Sequence, residues 1–167
     1  VALYAGVTPE EIRVALPLFK GVSRRFDVHA KGDRLIYIDD YAHHPREIEA
    51  SLSSIREMWP DKRLTVAFQP HLYSRTNDFY PEFAKSLNLA DQVILLDIYP
   101  AREQPIPGVT SGLIAERLTV PFVWVTKEEF PEYVKENVKE GIFMTVWSGY
   151  IDRFIPIFTE MFGGTDC

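Results

Sequence analysis

From Leu35 onward, short unbroken apolar runs alternate with stretches of helical period, and this alternation limits the fold more than any other feature of the chain. The runs are "RLIYIDD", "RLTVAFQP", "DQVILLDIYP", "FVWV" and "IFMTVWSG". A strand wetted on one side alternates apolar and polar residues. A run without alternation is buried on both faces, as in a parallel sheet covered by helices. Between the runs, Pro45 to Met58 places Ile48, Leu52 and Ile55 on one helical face, and residues 76–88 turn Phe79, Phe83 and Leu87 inward. Ser111 to Leu118, Glu128 to Val138 and Tyr150 to Phe162 read as further helices, the last kinked at Pro156. The expected fold is therefore α/β, a mostly parallel sheet with helices on both faces. With 167 residues and 46% hydrophobic content, the chain can build one such core.

Upstream of this pattern, Thr8-Pro9-Glu10-Glu11 is a helix start: a capping hydroxyl, proline in the first turn, then acids near the positive end of the helix dipole. Ile12, Ala15, Leu16 and Phe19 follow at helical spacing, and Lys20-Gly21 stops the helix. "RRFDVHA" and "RLIYIDD", separated by Lys31-Gly32-Asp33, read as a hairpin or a strand pair. The boundary between the first helix and the α/β unit falls near Gly21 to Arg25. An opening on Val1 rather than Met reads as a piece cut from a longer protein.

Acidic residues outnumber basic ones by 24 to 18, a net charge of −6. That balance argues against a general grip on nucleic acid or on an anionic membrane surface, while leaving room for a local anion site. Cys167 is the only cysteine, so no disulfide forms within the chain, which suits a reducing cytoplasm. No apolar run approaches membrane-spanning length. There is no G-x-x-x-x-G-K-[ST] loop, no G-x-G-x-x-G fingerprint, no G-x-S-x-G elbow and no cysteine pair.

Ligands of open α/β sheets sit beyond the carboxyl ends of the strands. Those ends here carry "DDYAHH", "QPHLYSR", "DIYPAREQP" and "WSGY". In the first, Asp39 or Asp40 either caps the helix starting at Pro45 or accepts bonds from a ligand, and His43 and His44 can donate to a carboxylate or phosphate. A metal hydrolase built on Asp40, His43 and His44 is a rival reading. Adjacent histidines seldom chelate one ion from a turn, so no metal ligand is assigned. In the second, Arg75 either pairs with a surface acid or holds a carboxylate bidentately; His71 and Tyr73 beside it favour the carboxylate. Thr76 or Asn77 is the expected cap of the following helix. Arg24 and Arg25 are either a surface pair or a reach toward a phosphate, and Gly149 offers backbone amides to an anion.

"GVSRRFD", "DDYAHHPREI", "FQPHLYSRTNDFYPEFAKSL" and "ADQVILLDIYPAREQPIPGVTS", in this order and spacing, closely resemble the carboxy-terminal domain of the Mur ligase family, in the branch that joins L-alanine to UDP-N-acetylmuramate. The likeness runs from about Ala2 to the final helix. It implies a Rossmann-like domain of a three-domain cytoplasmic ligase of peptidoglycan precursor synthesis. ATP and Mg²⁺ would serve the full-length enzyme, with the phosphate loop and magnesium ligands outside this chain. Residues 1–21 would be the end of the central ATP-binding domain, and residues 22–167 the carboxy-terminal domain. L-alanine, ATP and UDP-N-acetylmuramate are the implied partners, the last through the missing domains. Residue by residue, Arg25 resembles the arginine that reaches ATP phosphates and Asp40 the nucleotide-contacting aspartate. Tyr41, His43, His71, Tyr73 and Arg75 stand where the family gathers the incoming amino acid, with His43 and Arg75 nearest the reaction. Leu72 departs from the arginine common in relatives, and Trp147-Ser148-Gly149-Tyr150 from a "GAGD"-like turn. Two rivals remain: the muropeptide-recycling branch of the same family, and a non-catalytic nucleotide or amino-acid binding module.

Overall fold

Each of the apolar runs becomes a strand in the structure, a computed structural model that describes residues 1–18, 22–146 and 153–163. Strands β1 (Asp27–Lys31), β2 (Leu35–Asp40), β3 (Leu64–Phe68), β4 (Gln92–Leu96), β5 (Phe122–Val125) and β6 (Gly141–Val146) form one sheet in the order β1-β2-β6-β3-β4-β5. β1 and β2 make the expected antiparallel hairpin, and every other pairing is parallel. All residues of β2, β3 and β6 are buried, the two-sided burial that unbroken runs imply.

Among the described residues, six α-helices accompany the sheet: α1 (Pro9–Ala15), α2 (Pro45–Met58), α3 (Tyr73–Leu87), α4 (Gly112–Ala115), α5 (Phe130–Asn137) and α6 (Ile155–Gly163). Because strand residues alternate sides, Ile38, Val66 and Met144 meet Ile48, Leu52, Phe83, Leu87 and Ile114 of α2, α3 and α4 on one face. Tyr37, Ala67, Ile94 and Phe143 meet Phe130, Val134 and Phe158 of α5 and α6 on the other. Phe158 is the hub of that second layer, with ring centroids 5.2 Å from Phe130, 5.4 Å from Phe143 and 5.9 Å from Tyr37. Edge-to-face contacts of this kind add to plain burial.

The last strand enters between two earlier ones. Gly141 starts β6 with φ 89°, its amide bonded to the Arg34 carbonyl at 2.8 Å. A Cβ at this position would stand 2.3 Å from the Arg63 carbonyl oxygen. Only glycine permits both the left-handed backbone and that approach.

Several local expectations need correction. α3 begins at Tyr73 rather than Thr76, so Thr76 lies inside it, its hydroxyl bonded back to the Leu72 carbonyl at 2.8 Å. α4 spans four residues, shorter than the stretch Ser111 to Leu118. Pro156 is the second residue of α6, where its missing N–H needs no intrahelical partner, so it starts the helix rather than kinking it. At the other end, Thr8 and Glu11 form a full capping box, as the local signals imply, yet α1 buries no residue at all. Phe19, Lys20 and Gly21, on which the end of the first helix and the domain boundary rest, lie outside the described residues, as do Tyr150 to Asp152.

Candidate functional site

β2 and β3 lead into α2 and α3 on one face of the sheet, whereas β6, between them, is followed by α6 on the other. At such a reversal the outgoing segments part and leave a crevice beyond the strand ends. The two histidine-bearing loops follow β2 and β3, on either side of β6.

The first loop, residues 41–44, is held mainly by its own neighbours. Strand alternation sends its two preceding aspartates to opposite faces. Asp39, fully buried, accepts from the Thr145 hydroxyl at 2.8 Å, and the Arg24 Nε lies 3.5 Å from its other oxygen. Tyr37 completes this chain, 3.2 Å from Thr145; burial pushes its phenol well above the ordinary value. Asp40 turns toward α2 and accepts from the Ser51 hydroxyl. Neither aspartate caps α2. His44 does, its Nδ1 accepting from the Arg46 amide, while Glu47 reaches back to the amides of His43 and His44 at 2.9 and 3.2 Å. Burial acts to raise the Glu47 carboxyl. The two amide bonds and the nearby His43 and Arg25 charges outweigh it and hold the group below the ordinary carboxyl value.

Tyr41 is clamped from three sides. Its amide donates to the Arg24 carbonyl at 2.8 Å, its ring lies 5.6 Å from that of His43, and the guanidiniums of Arg24 and Arg25 stand 5.0 and 5.3 Å from its centroid. Arg24 reaches this place with φ 61°, a left-handed backbone. The family-like position Arg25 is the exposed member of the pair; Arg24, which the sequence does not distinguish from it, is the partly buried one. His43 is half-buried, its Nδ1 3.1 Å from the Tyr41 carbonyl and 3.5 Å from Glu47.

The second loop, residues 69–72, is held from a distance. The Leu72 amide donates to the Tyr99 carbonyl at 2.9 Å, and the Tyr99 amide to the Pro70 carbonyl at 2.8 Å. The His71 ring stacks on Tyr99 with centroids 5.7 Å apart. Leu72 flanks α3 with φ 71°, a strained conformation for a branched side chain, kept by these bonds. α3 has no capping side chain of its own at Leu72. Glu103, in the segment after β4, supplies the cap instead, accepting from the Ser74 amide at 3.0 Å and hydroxyl at 2.5 Å. Those bonds lower its carboxyl. Arg75, in the first turn of α3, makes no ion pair among the described residues. Tyr73 is half-buried and its ring makes no aromatic contact among them.

The two loops meet electrostatically. Burial lowers the His71 imidazole below its ordinary value, and the positive charges of Arg75 and His43 lower it further, against a weaker opposing effect of Glu103. His43 of the first loop and Arg75 of the second thus act on one ring. Asp40, buried and turned to Ser51, stands apart from this trio. Sequence reading did not single out Gln69, whose amide donates to the Asp97 carbonyl at 3.2 Å while its buried Oε1 has no partner. Nor did it single out Tyr99, Glu103 or the Trp124 indole, which donates to Asp97 at 2.9 Å. The polar segment after β4 was the only available signal. Trp147-Ser148-Gly149-Tyr150 lies outside the described residues. Among those described, no three histidine, cysteine or acidic groups are placed to hold a metal ion, and no helix is long and apolar enough to cross a membrane.

Comparison with known proteins adds a second line. Residues 24–147 match the family described as Mur ligase, glutamate ligase domain. The UDP-N-acetylmuramate–L-alanine ligase of Phocaeicola vulgatus is 49% identical over 158 residues, covering 93% of this chain and 34% of the relative. In structure, the UDP-N-acetylmuramate–alanine ligase of Thermotoga maritima aligns over 99% of this chain and 36% of its own, with a TM-score of 0.74 at 26% identity. A murein peptide ligase from Psychrobacter arcticus aligns over 99% of this chain and 35% of its own, with a TM-score of 0.64 at 20% identity, a likeness of fold. The chain spans about a third of the length of these proteins.

Proposed function

Because residues 24–147 carry its glutamate ligase domain, the chain belongs to the Mur ligase family, and from that premise we propose that it is the carboxy-terminal, amino-acid-receiving domain of a UDP-N-acetylmuramate–L-alanine ligase acting in the cytoplasm. The observation that carries this reading is the placement of the His43 and His71 loops after β2 and β3, on either side of β6, with Arg75 and His43 both acting on the His71 ring. It is supported by 49% identity to a ligase of that name across nearly the whole chain.

In the full-length enzyme, phosphoryl transfer from ATP to the muramate carboxylate would give an acyl phosphate and ADP, and attack by the L-alanine amine would then displace phosphate to give the amide. This chain's part is orientation. Arg75, a cation with no carboxylate partner among the described residues, takes the amino-acid carboxylate, and His43 and Tyr41 line the opposite side of the crevice. Fixing two reactants in this way can contribute up to about 7–11 kcal/mol. Tyr73 borders the same crevice.

The chemistry of the chain also fits part of a nucleotide site. The exposed Arg25 guanidinium, backed by the Tyr41 ring, suits a phosphate arriving from the central domain. Asp40 gives one oxygen to Ser51, leaving the other for a nucleotide hydroxyl. Magnesium would be held by groups outside this chain, residues 1–21 being the end of the central domain. The exposure of Tyr4, Val14, Leu16 and Leu18 agrees with a segment made to pack against something beyond the sheet.

The test is ADP release by the full-length protein given UDP-N-acetylmuramate, ATP and either L-alanine or a murein tripeptide. Turnover with L-alanine is expected. Turnover with the tripeptide alone would reassign the chain to the recycling branch. Tight nucleotide binding by this chain in isolation would favour a stand-alone sensor, and amide formation by this chain alone would contradict the proposed division of labour.

A further inference from the structure

Among the described residues, four other than glycine have a left-handed backbone: Arg24, Phe26, Leu72 and Ala101. All four stand at or beyond the carboxyl ends of strands. Leu72 and Ala101 follow β3 and β4, and Arg24 and Phe26 lie beside the end of β2, where Asp27 pairs with Asp39. Such conformations are strained for side chains with a Cβ and persist only where the surroundings impose them. Arg24 and Phe26, with φ 61° and 49°, flank Arg25, so the backbone is strained on both sides of one exposed arginine.

The contacts that impose this strain are traceable. Residues 22–25 form a turn closed by the Arg25 amide on the Val22 carbonyl at 3.0 Å. Phe26 packs against the core on the α2 and α3 side of the sheet. Arg24 is tied at three points. Its amide donates to the Asp27 carboxylate at 3.0 Å, its carbonyl accepts from the Tyr41 amide at 2.8 Å, and its Nε stands 3.5 Å from an Asp39 oxygen. Asp39 is fully buried and bonded to Thr145 of β6, so the guanidinium is moored to the middle of the sheet. The Nε and Nη2 of Arg24 are themselves buried, which turns them away from an incoming ligand.

We propose that Arg24 is a positioning residue: moored to Asp39, it holds the strained turn in the shape that presents Arg25 to a phosphate and fixes the Tyr41 ring. The proposal rests on the reading of Arg25 as part of a nucleotide site and deepens it. The adjacent arginines divide the work. A buried carboxylate compensates the first, and the charge of the second is left for an anion. A buried ion pair that serves stability alone can be replaced by uncharged groups of similar volume without loss. A positioning pair cannot, because the replacement keeps the burial but not the tether between turn and sheet.

That difference is measurable. Arg24→Met removes the cation beside a fully buried carboxylate and should lower the Tm of this chain by about 10 °C. Combining it with Asp39→Asn removes both charges and should recover most of that loss. In this recovered double variant the Arg25 and Tyr41 amides should still exchange with deuterium about tenfold faster than in the parent. Should the Tm not recover, Arg24→Lys gives the same comparison, with the charge kept and the planar tether lost. Exchange like the parent's in the stable variant overturns the positioning role whatever the protein's function. In the full-length enzyme, the same variant should raise the KM for ATP about tenfold, the loss of one hydrogen bond to a charged group. Added to Arg25→Ala, it should raise that KM no further, as expected of a residue that acts through another. Effects that multiply, or a KM that recovers together with the Tm, overturn the proposal. An unchanged KM in Arg25→Ala alone instead removes the phosphate reading of Arg25 and the functional half of this proposal, while the exchange result still decides the positioning half.

Discussion

The two loops that border the crevice are built on opposite principles. The loop after β2 is held largely from nearby in sequence: His44 caps α2, Glu47 closes the capping box, and Tyr41 hangs from Arg24. The loop after β3 is held from far along the chain: Tyr99 bonds its backbone and stacks on its histidine, and Glu103 caps its helix from 29 residues away. A locally built loop keeps its shape when its surroundings move. A remotely built loop is as well placed as the segment that holds it. The spacing of the strands that carry these two unlike loops is fixed by β6, which lies between them.

The hardest blow to that comparison is therefore Gly141→Ala, which strikes neither loop. A Cβ against the Arg63 carbonyl and a left-handed backbone together should cost roughly 2–4 kcal/mol in urea unfolding. If the cost is below 1 kcal/mol, β6 does not set the spacing. Next comes Arg75→Ala, the charged end of the remotely built loop. It should lower kcat/KM for L-alanine about a hundredfold in the full-length enzyme, as expected for a charge-assisted bidentate contact. Glu103→Gln asks whether that loop depends on its distant holder: the Tyr73 and Ser74 amides should exchange with deuterium faster, and the KM for L-alanine should rise, with the loop after β2 unchanged. Protection lost equally in both loops would erase the distinction.

Glu47→Ala is the matching cut in the locally built loop. It should cost about 1 kcal/mol, an ordinary capping loss, and leave exchange at Leu72 to Arg75 as it was. The same residue gives the smallest effect, with pH. Folding favours its ionised form, so the stabilisation is full above the ordinary carboxyl value of 4.5 and fades as pH falls below it. The difference in stability between the parent and Glu47→Ala should shrink with acidification.

This contrast also explains what the sequence makes legible. The strands are readable because burial on both faces leaves unbroken apolar runs, and α2 because Ile48, Leu52 and Ile55 keep helical spacing. The Thr8 capping box is readable because all its parts lie within four residues. The cap of α2 is less so: two aspartates stand closer to the usual type, but strand alternation commits Asp39 to Thr145 and Asp40 to Ser51, and those directions exist only once the register is known. The cap of α3 is invisible, since nothing near Tyr73 signals Glu103. Without it, Thr76 is the reasonable but mistaken choice. Pro156 misleads for a smaller reason: its meaning depends on where α6 begins. Of the residues named for their chemistry, His43 and Arg75 both act electrostatically on the His71 ring, while Gln69 and Tyr99 enter through geometry that residue types alone do not carry.

Convergence of the two loops on a single amino acid is best tested by a double-mutant cycle between His43→Ala and Arg75→Ala, read as kcat/KM for L-alanine in the full-length enzyme. Groups acting on one bound ligand should couple, by about 0.5–3 kcal/mol, so the double variant should lose less than the product of the two single losses. Losses that multiply within error would mean that the two loops serve different sites.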